Sequence, residues 1–109
     1  MSKTKNLVLL EYKKTKGQAD YLERIADKVD GQRRKIAEQK NQLSRYWTGI
    51  NANTYRTKMD DRESELKSIA SELRKIASTI RTVAQNIYQA DMRAVELAKK
   101  NGKGGGGFR

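Results

Sequence analysis

The sequence predicts an all-α fold, an antiparallel two-helix hairpin, on three observations. Apolar residues recur at alternating spacings of four and three through the second half of the chain. Proline is absent, so nothing forces a break inside a helix. Two long charged stretches are separated near mid-chain by Trp47, Thr48 and Gly49. Glycine supplies the left-handed conformation that often ends a helix, and a neighbouring Trp can cover the open end, so this W-x-G segment predicts the turn.

The second half of the chain carries the clearest helical pattern. Only Arg62 breaks the apolar series, and a repeat of this length is typical of a coiled-coil-like seam on one continuous helix. Ala70, Ala77, Ala84 and Ala98 flank the seam at heptad spacing, and small side chains there let a neighbouring helix approach closely. The predicted seam comprises Tyr55, Met59, Leu66, Ile69, Leu73, Ile76, Ile80, Val83, Ile87, Ala90, Ala94 and Leu97.

The first half predicts a weaker helix with one apolar face. Gln32 and Gln39 fill two of its seam positions, and Gly31 in mid-helix should cost about 1 kcal/mol relative to Ala. The apolar residues of this face are Leu22, Ile25, Val29, Ile36, Leu43 and Tyr46. A hairpin cannot cover both apolar faces by itself, so we expect it to dimerise, with itself or a similar chain, into an antiparallel four-helix bundle.

These patterns give one hairpin domain over residues 1–100, followed by a tail. Helix 1 is predicted at about 7–46, the turn at 47–49 and helix 2 at about 51–99. Residues 101–109 are Gly-rich and predict a flexible tail, with Asn101 and Gly102 as the helix stop. The apolar run 7–10 is too short for a signal-peptide core or a membrane span, and after fold-back it should reach the region 87–94.

Composition argues against an enzyme. Cys and His are both absent, which removes thiolate chemistry and the commonest general base and metal ligand. The remaining reactive residue types are scattered along helices without a convergent constellation, so we expect no catalytic residue, no cofactor and no metal. The acidic cluster around Asp60 and Asp61 is explained by the helix dipole.

The charge is strongly basic, and it leaves three interpretations open. Lys and Arg total 24 against 13 acids, a net charge of +11, with a pI near 10.0. Such a surface would attract an acidic protein, nucleic acid through its phosphates, or simply be solvated. No helix-turn-helix, finger or exposed aromatic platform is evident, so sequence-specific DNA recognition is disfavoured.

The segment from Trp47 to Tyr55, between two helices in a chain of this length, resembles the WXG family of small proteins handled by type VII secretion, relatives of the early secreted antigenic target. Trp47, Gly49 and Tyr55 carry the motif, and Asn51 departs from the small residue that family members often place there. The resemblance covers nearly the whole chain in architecture.

A second family feature is present in altered form. Many exported members of that family have a Tyr, three residues and then an Asp or Glu, near the end of the second helix or just after it. Here Asp91 follows Tyr88 by three positions, and Met92 stands where the acid is expected. Positions three and four residues on share a helix face, so Tyr88 and Asp91 can present a similar patch. Two alternatives stay open: the chain borrows a partner's signal, or Tyr88 is a half-exposed aromatic beside the seam.

The resemblance implies a non-enzymatic secretion protein. Trp47 and Gly49 of one subunit would lie near Tyr88 and Asp91 of the other, and a membrane ATPase of the secretion machine would recognise both. The partner would be the chain itself, a related and acidic WXG-type protein, or the N-terminal helical domain of a toxin. The protein would be cytoplasmic before export and then secreted or at the cell surface, with no cleavable signal peptide and no membrane insertion. The alternatives are a cytosolic adaptor for a secreted toxin, and a basic coiled-coil protein that binds nucleic acid nonspecifically.

Overall fold

The protein is a helical hairpin, as predicted. A computed structural model describes residues 3–105, and the side chains through residue 101. Helix α1 spans Lys5–Tyr46, 42 residues, and helix α2 spans Ile50–Gly105, 56 residues. Within the described range only residues 3–4 and 47–49 lie outside a helix, so the described chain is all-α and contains no strand.

Helix α1 begins two residues earlier than predicted because Thr4 caps it. The Leu7 N–H donates to Thr4 Oγ1 at 3.1 Å, and the Val8 N–H donates to the Thr4 carbonyl oxygen at 3.0 Å. A Thr side chain in this position satisfies one of the backbone donors that a helix start leaves without an intrahelical partner.

Three residues, 47–49, connect the helices. Gly49 has φ +108°, the one positive φ among the described residues. The Trp47 N–H still donates to the Leu43 carbonyl oxygen at 2.9 Å, and the Asn53 N–H donates to the Gly49 carbonyl oxygen at 3.0 Å. The last turn of α1 and the first turn of α2 are therefore hydrogen-bonded on either side of a single left-handed residue.

Helix α2 extends further than the sequence indicates. Its predicted end is near residue 99, but it continues through Asn101 and Gly102 to Gly105. Each helical glycine is less favourable than Ala by about 1 kcal/mol, yet none of them prevents the backbone from continuing its i to i−4 hydrogen bonds. Residues 101–105, which were predicted to be part of a flexible tail, are therefore helical. The rest of the predicted tail, 106–109, lies outside the described residues.

The chain divides into two compact units, and both helices contribute a segment to each. The turn unit is Tyr21–Ile76, and the terminal unit is Met1–Asp20 with Ala77–Arg109. The single domain over residues 1–100 stays a prediction.

In both units the fully buried side chains are small. The turn unit buries Ala26, Ala52 and Ala70, and the terminal unit buries Val8, Ala19, Ala77 and Ala84. In the terminal unit Val8 of α1 and Ala84 of α2 line one cavity, so these small side chains lie where its two helical segments meet. The alanines predicted to flank the α2 seam at 70, 77 and 84 are all buried. Ala98 is exposed.

Polar contacts fix the antiparallel register inside each unit. In the turn unit Arg74 pairs with Asp27 and Asp30, and Lys40 pairs with Asp60 and Glu63. Partners with higher numbers on α1 thus meet lower numbers on α2. The terminal unit follows the same order, since Lys3 pairs with Asp91 and Asp20 with Arg81.

Candidate functional site

The turn unit ends in an aromatic pair at the interhelical connection. The Trp47 and Tyr55 rings have centroids 6.0 Å apart and are tilted by 49°. Trp47 is 40% exposed and Tyr55 50% exposed. The two predicted aromatics are therefore in contact, and both keep a large solvent-facing surface that a partner could cover.

A third residue, Arg56, fixes the backbone that presents this pair. Its Nη2 donates to the Trp47 carbonyl oxygen at 2.6 Å and its Nε donates to Ser44 Oγ at 2.8 Å. Its Nη1 donates to the Asn53 side-chain oxygen. One guanidinium thus joins the end of α1 to the start of α2, because its planar set of donors reaches several acceptors at once. Sequence reasoning missed Arg56, and no pattern in the sequence marks it.

Two more apolar side chains are exposed beside the connection. Tyr46, the last residue of α1, is 86% exposed, and Ile50, the first of α2, is 85% exposed. Tyr46 was expected on the apolar face of helix 1, and Ile50 carried no predicted role. Together with Trp47 and Tyr55 they place four large apolar side chains, all substantially exposed, at this end of the turn unit.

The terminal unit brings together Tyr88 and Asp91, the predicted secretion patch. Both line one small cavity, with Lys3, Glu11 and Tyr12 among the other lining residues. Asp91 accepts a hydrogen bond from Lys3 Nζ at 3.2 Å, and the same ammonium lies 3.1 Å from Glu11. The pKa of Lys3 is raised, mainly by the hydrogen bond of its ammonium to Glu11 and next by the one to Asp91.

Tyr88 is packed against α1. Its ring lies 4.6 Å from that of Tyr12, tilted by 32°, and the Tyr12 hydroxyl donates to Gln85 Oε1 at 2.7 Å. The Lys16 ammonium sits 5.3 Å from the centre of the Tyr12 ring. The predicted patch is therefore built from both helices. Residues that are nearly equidistant from the turn meet in an antiparallel hairpin. The contact between Tyr12 and Tyr88 could therefore have been predicted from the register, although no local sequence pattern indicates it.

The predicted apolar seam is only partly covered within the chain. Half-buried members of the seam are Leu22, Ile25, Val29, Ile36, Leu43, Met59, Leu66, Leu73 and Ile80. Tyr55, Ile69, Ile76, Val83 and Ile87 are exposed. Ile69 and Ile76 in the turn unit, which we call the apolar row, are each 48% exposed. Their seven-residue spacing places them on one side of α2.

Among the described residues, a metal site would need clustered ligands and a membrane span would need a long apolar helix. No group of three or more acidic side chains there is arranged to hold a metal ion. Over the same residues neither helix has a stretch long and apolar enough to cross a membrane. The chain matches no family model, no curated protein and no solved structure. Its functional interpretation therefore depends on the surfaces described above.

Proposed function

We propose that this protein acts by binding another helical protein, and that it is exported by a type VII secretion system or escorts a partner to one. The observation that carries the proposal is the apolar row. Ile69 and Ile76 stay half-exposed while the small Ala70 beside them is buried. The hairpin buries its alanines internally and leaves Ile69 and Ile76 half-exposed for another chain.

The energetic argument favours a helical bundle. Burying an Ile fully is worth about 1.5–3 kcal/mol, so half of one leaves roughly 1 kcal/mol to be gained on binding. Val83 and Ile87 of the terminal unit are exposed to a similar extent, 48% and 53%. Heptad-spaced aliphatic side chains are the usual contact of helices in a four-helix bundle. This supports dimerisation through α2.

The partner is expected to be acidic. Two copies of a chain with a net charge of +11 repel each other, whereas an acidic helical protein is attracted. At low salt, a related acidic WXG-type protein or a toxin's helical domain is therefore favoured over a second copy, and added salt, which screens the repulsion, lets a second copy dimerise. The same charge makes nonspecific nucleic-acid binding the competing function, and steep loss of binding with salt would identify it.

We assign recognition by the secretion ATPase to two sites, the aromatic pair of Trp47 and Tyr55 and the predicted secretion patch of Tyr88 and Asp91. Trp47 and Tyr55 support this role because they are exposed on a backbone held by Arg56. Tyr88 and Asp91 support it because Tyr12 and Lys3 hold them in one place. Aromatic side chains on a rigid backbone are efficient anchors at interfaces. The pairing of the two sites between two chains belongs to this proposal.

The deciding experiment measures this protein in cells and in culture supernatant, with and without the host's secretion ATPase. Export that depends on the ATPase supports the proposal, and Trp47→Ala should then abolish export at normal cellular levels. Thr48→Ala is the matched control, because its side chain makes no hydrogen bond within the described part of the chain. Retention of the protein in both strains, with no effect on the export of a bound partner, would overturn the proposal.

A further inference from the structure

The outward side of α1 in the turn unit carries more cations than acids. The acids Asp27, Asp30 and Asp60 are turned toward cations of the opposite helix. Lys28 and Lys35, by contrast, make no ion pair among the described residues. The internal pairs therefore neutralise the side where the helices meet, and the surplus cations remain outside.

Helical geometry places four of the outward residues on one stripe. Arg24, Lys28, Gly31 and Lys35 follow one another at spacings of four, three and four, which puts them on one face. Ala26 is fully buried and marks the inward direction of α1. Residues two positions before or after it lie about 160° round the helix. This stripe, which we call the basic ridge, thus points away from α2.

Gly31 has no role within the chain that explains it. A Cβ added there would meet nothing within 4 Å, and its φ is not positive. Helical Gly is about 1 kcal/mol less favourable than Ala. A missing side chain in the middle of a ridge does allow another backbone to approach closely, as happens where helices pack tightly.

Tyr21 extends the ridge with apolar surface. It is 58% exposed, and the Arg24 guanidinium lies 5.9 Å from the centre of its ring. The basic ridge thus has three features that suit a partner helix. Its cations are spaced four and three residues apart, Gly31 leaves room for a backbone, and Tyr21 adds an aromatic surface. Long Lys and Arg side chains reach phosphates without any need for a gap, so nucleic acid does not account for Gly31.

We propose that the basic ridge docks an acidic amphipathic helix of a partner protein, with the partner's carboxylates over Arg24, Lys28 and Lys35 and its backbone over Gly31. The inference goes beyond the proposed function, which uses the apolar row of α2. It holds whether or not the chain is exported, because the ridge and the row lie on different helices and are tested by different variants.

The test uses the full chain and two synthetic peptides of about 25 residues, long enough to form helix. One peptide has glutamates at four-three-four spacing along one face, and the other has the same composition with the glutamates distributed around the helix. Binding is followed by fluorescence anisotropy at several salt concentrations, with a duplex DNA of similar charge as the third probe. We expect the face-patterned peptide to bind at least about tenfold more tightly than the scrambled one, which is about 1.4 kcal/mol.

Three variants locate the site. The affinity for the face-patterned peptide should fall by about tenfold or more in the Lys28→Glu, Lys35→Glu double variant. The Lys58→Glu, Lys67→Glu double variant changes the net charge equally, but its substitutions lie on α2. Its affinity for the same peptide should fall by less than about threefold. Gly31→Gln keeps the charge and improves helix propensity, so it should fold at least as well by circular dichroism and still weaken binding.

Each contrary result overturns the inference. Equal loss in the two double variants would mean diffuse attraction by net charge. Equal affinity for the two peptides would mean that no helix face is recognised. Tighter binding of the DNA than of the face-patterned peptide would identify a phosphate-binding surface. A Gly31→Gln variant that binds like wild type would remove the reason for a close backbone approach.

Discussion

Replacing Gly31 and replacing Gly49 with Ala should have opposite effects on the stability of the protein. Gly49 adopts φ +108°, a conformation that L-residues rarely take, whereas Gly31 lies in a regular helix with open space where a Cβ would be. Gly49→Ala should therefore destabilise by about 1–2 kcal/mol through backbone strain. Gly31→Ala should stabilise by about 1 kcal/mol through helix propensity.

The two glycine variants control each other, because both add one methyl group. Urea unfolding followed by circular dichroism at 222 nm measures the two free-energy differences, and a helical signal at that wavelength is strong in an all-α chain. A Gly49→Ala variant as stable as wild type would contradict the assignment of Gly49 as the left-handed residue of the connection. A destabilised Gly31→Ala variant would contradict the open space beside Gly31.

Asp30 is the residue whose protonation should weaken the fold in acid. The Arg74 guanidinium lies 2.6 Å from it, and that hydrogen bond is the main cause that holds the pKa of Asp30 below its ordinary value of 3.8. A carboxyl with a lowered folded-state pKa contributes stability above its unfolded pKa. That contribution is lost as the pH falls through the folded-state value.

Thermal melts between pH 7 and pH 3 test this contribution. Asp30→Asn should melt lower than wild type at pH 7, and the difference should shrink as the pH falls below about 4. Asp61→Asn is the matched control, since Asp61 makes no ion pair among the described residues. A difference between Asp30→Asn and wild type that stays constant down to pH 3 would show that Asp30 acts through packing and not through its charge.

At the level of the helices, the small side chains decide how closely α1 and α2 approach. Ala70 is fully buried in the turn unit. Ala70→Leu should destabilise by about 1–3 kcal/mol, because a larger side chain there overpacks a buried position. Ser71→Leu adds a similar volume to the next, exposed position and should change the stability by less than about 0.5 kcal/mol. Equal urea midpoints for the two variants would contradict close packing at Ala70.

The helices themselves were predictable, and their contacts were predictable only in part. The absence of proline and the four-three pattern predicted two long helices, which the structure contains. The residues that connect them, 47–49, include the Trp47 and Gly49 that the sequence singled out. The pattern did not say which apolar residues face the opposite helix, since Ile69 and Ala70 occupy neighbouring positions on α2. The half-exposure of Ile69 and the burial of Ala70 depend on how closely the backbones approach.

The candidate sites were less predictable, because their side chains meet across the hairpin. Trp47 and Tyr55 are close in sequence and were singled out together. Tyr12 is far from Tyr88 in sequence, and only the antiparallel register brings the two rings to 4.6 Å. Arg56 depends on rotamer and acceptor geometry, which no residue pattern encodes. Helix α2 extends beyond its predicted end because helix propensity is a weak guide at helix ends.

At the level of the whole molecule, charge and apolar surface act in opposite directions on self-association. A net charge of +11 keeps copies apart, while the apolar row favours their contact. Raising the salt concentration screens the first effect and leaves the second nearly unchanged. Self-association, where it occurs, should therefore become stronger with salt, whereas binding of an acidic helix to the basic ridge should become weaker.

The apolar row provides the direct test of assembly. Light scattering of the wild-type chain at micromolar concentration and moderate salt should give twice the mass of one chain, which is 12.5 kDa. The Ile69→Glu, Ile76→Glu double variant should stay monomeric and helical, because it places four charges in a dimer of helices where aliphatic contacts are needed. The Ser64→Glu, Ser71→Glu double variant has the same seven-residue spacing on an exposed, different side of α2, and should still dimerise. A wild-type chain that stays monomeric, or a row variant that assembles as the serine control does, would contradict self-assembly through the apolar row.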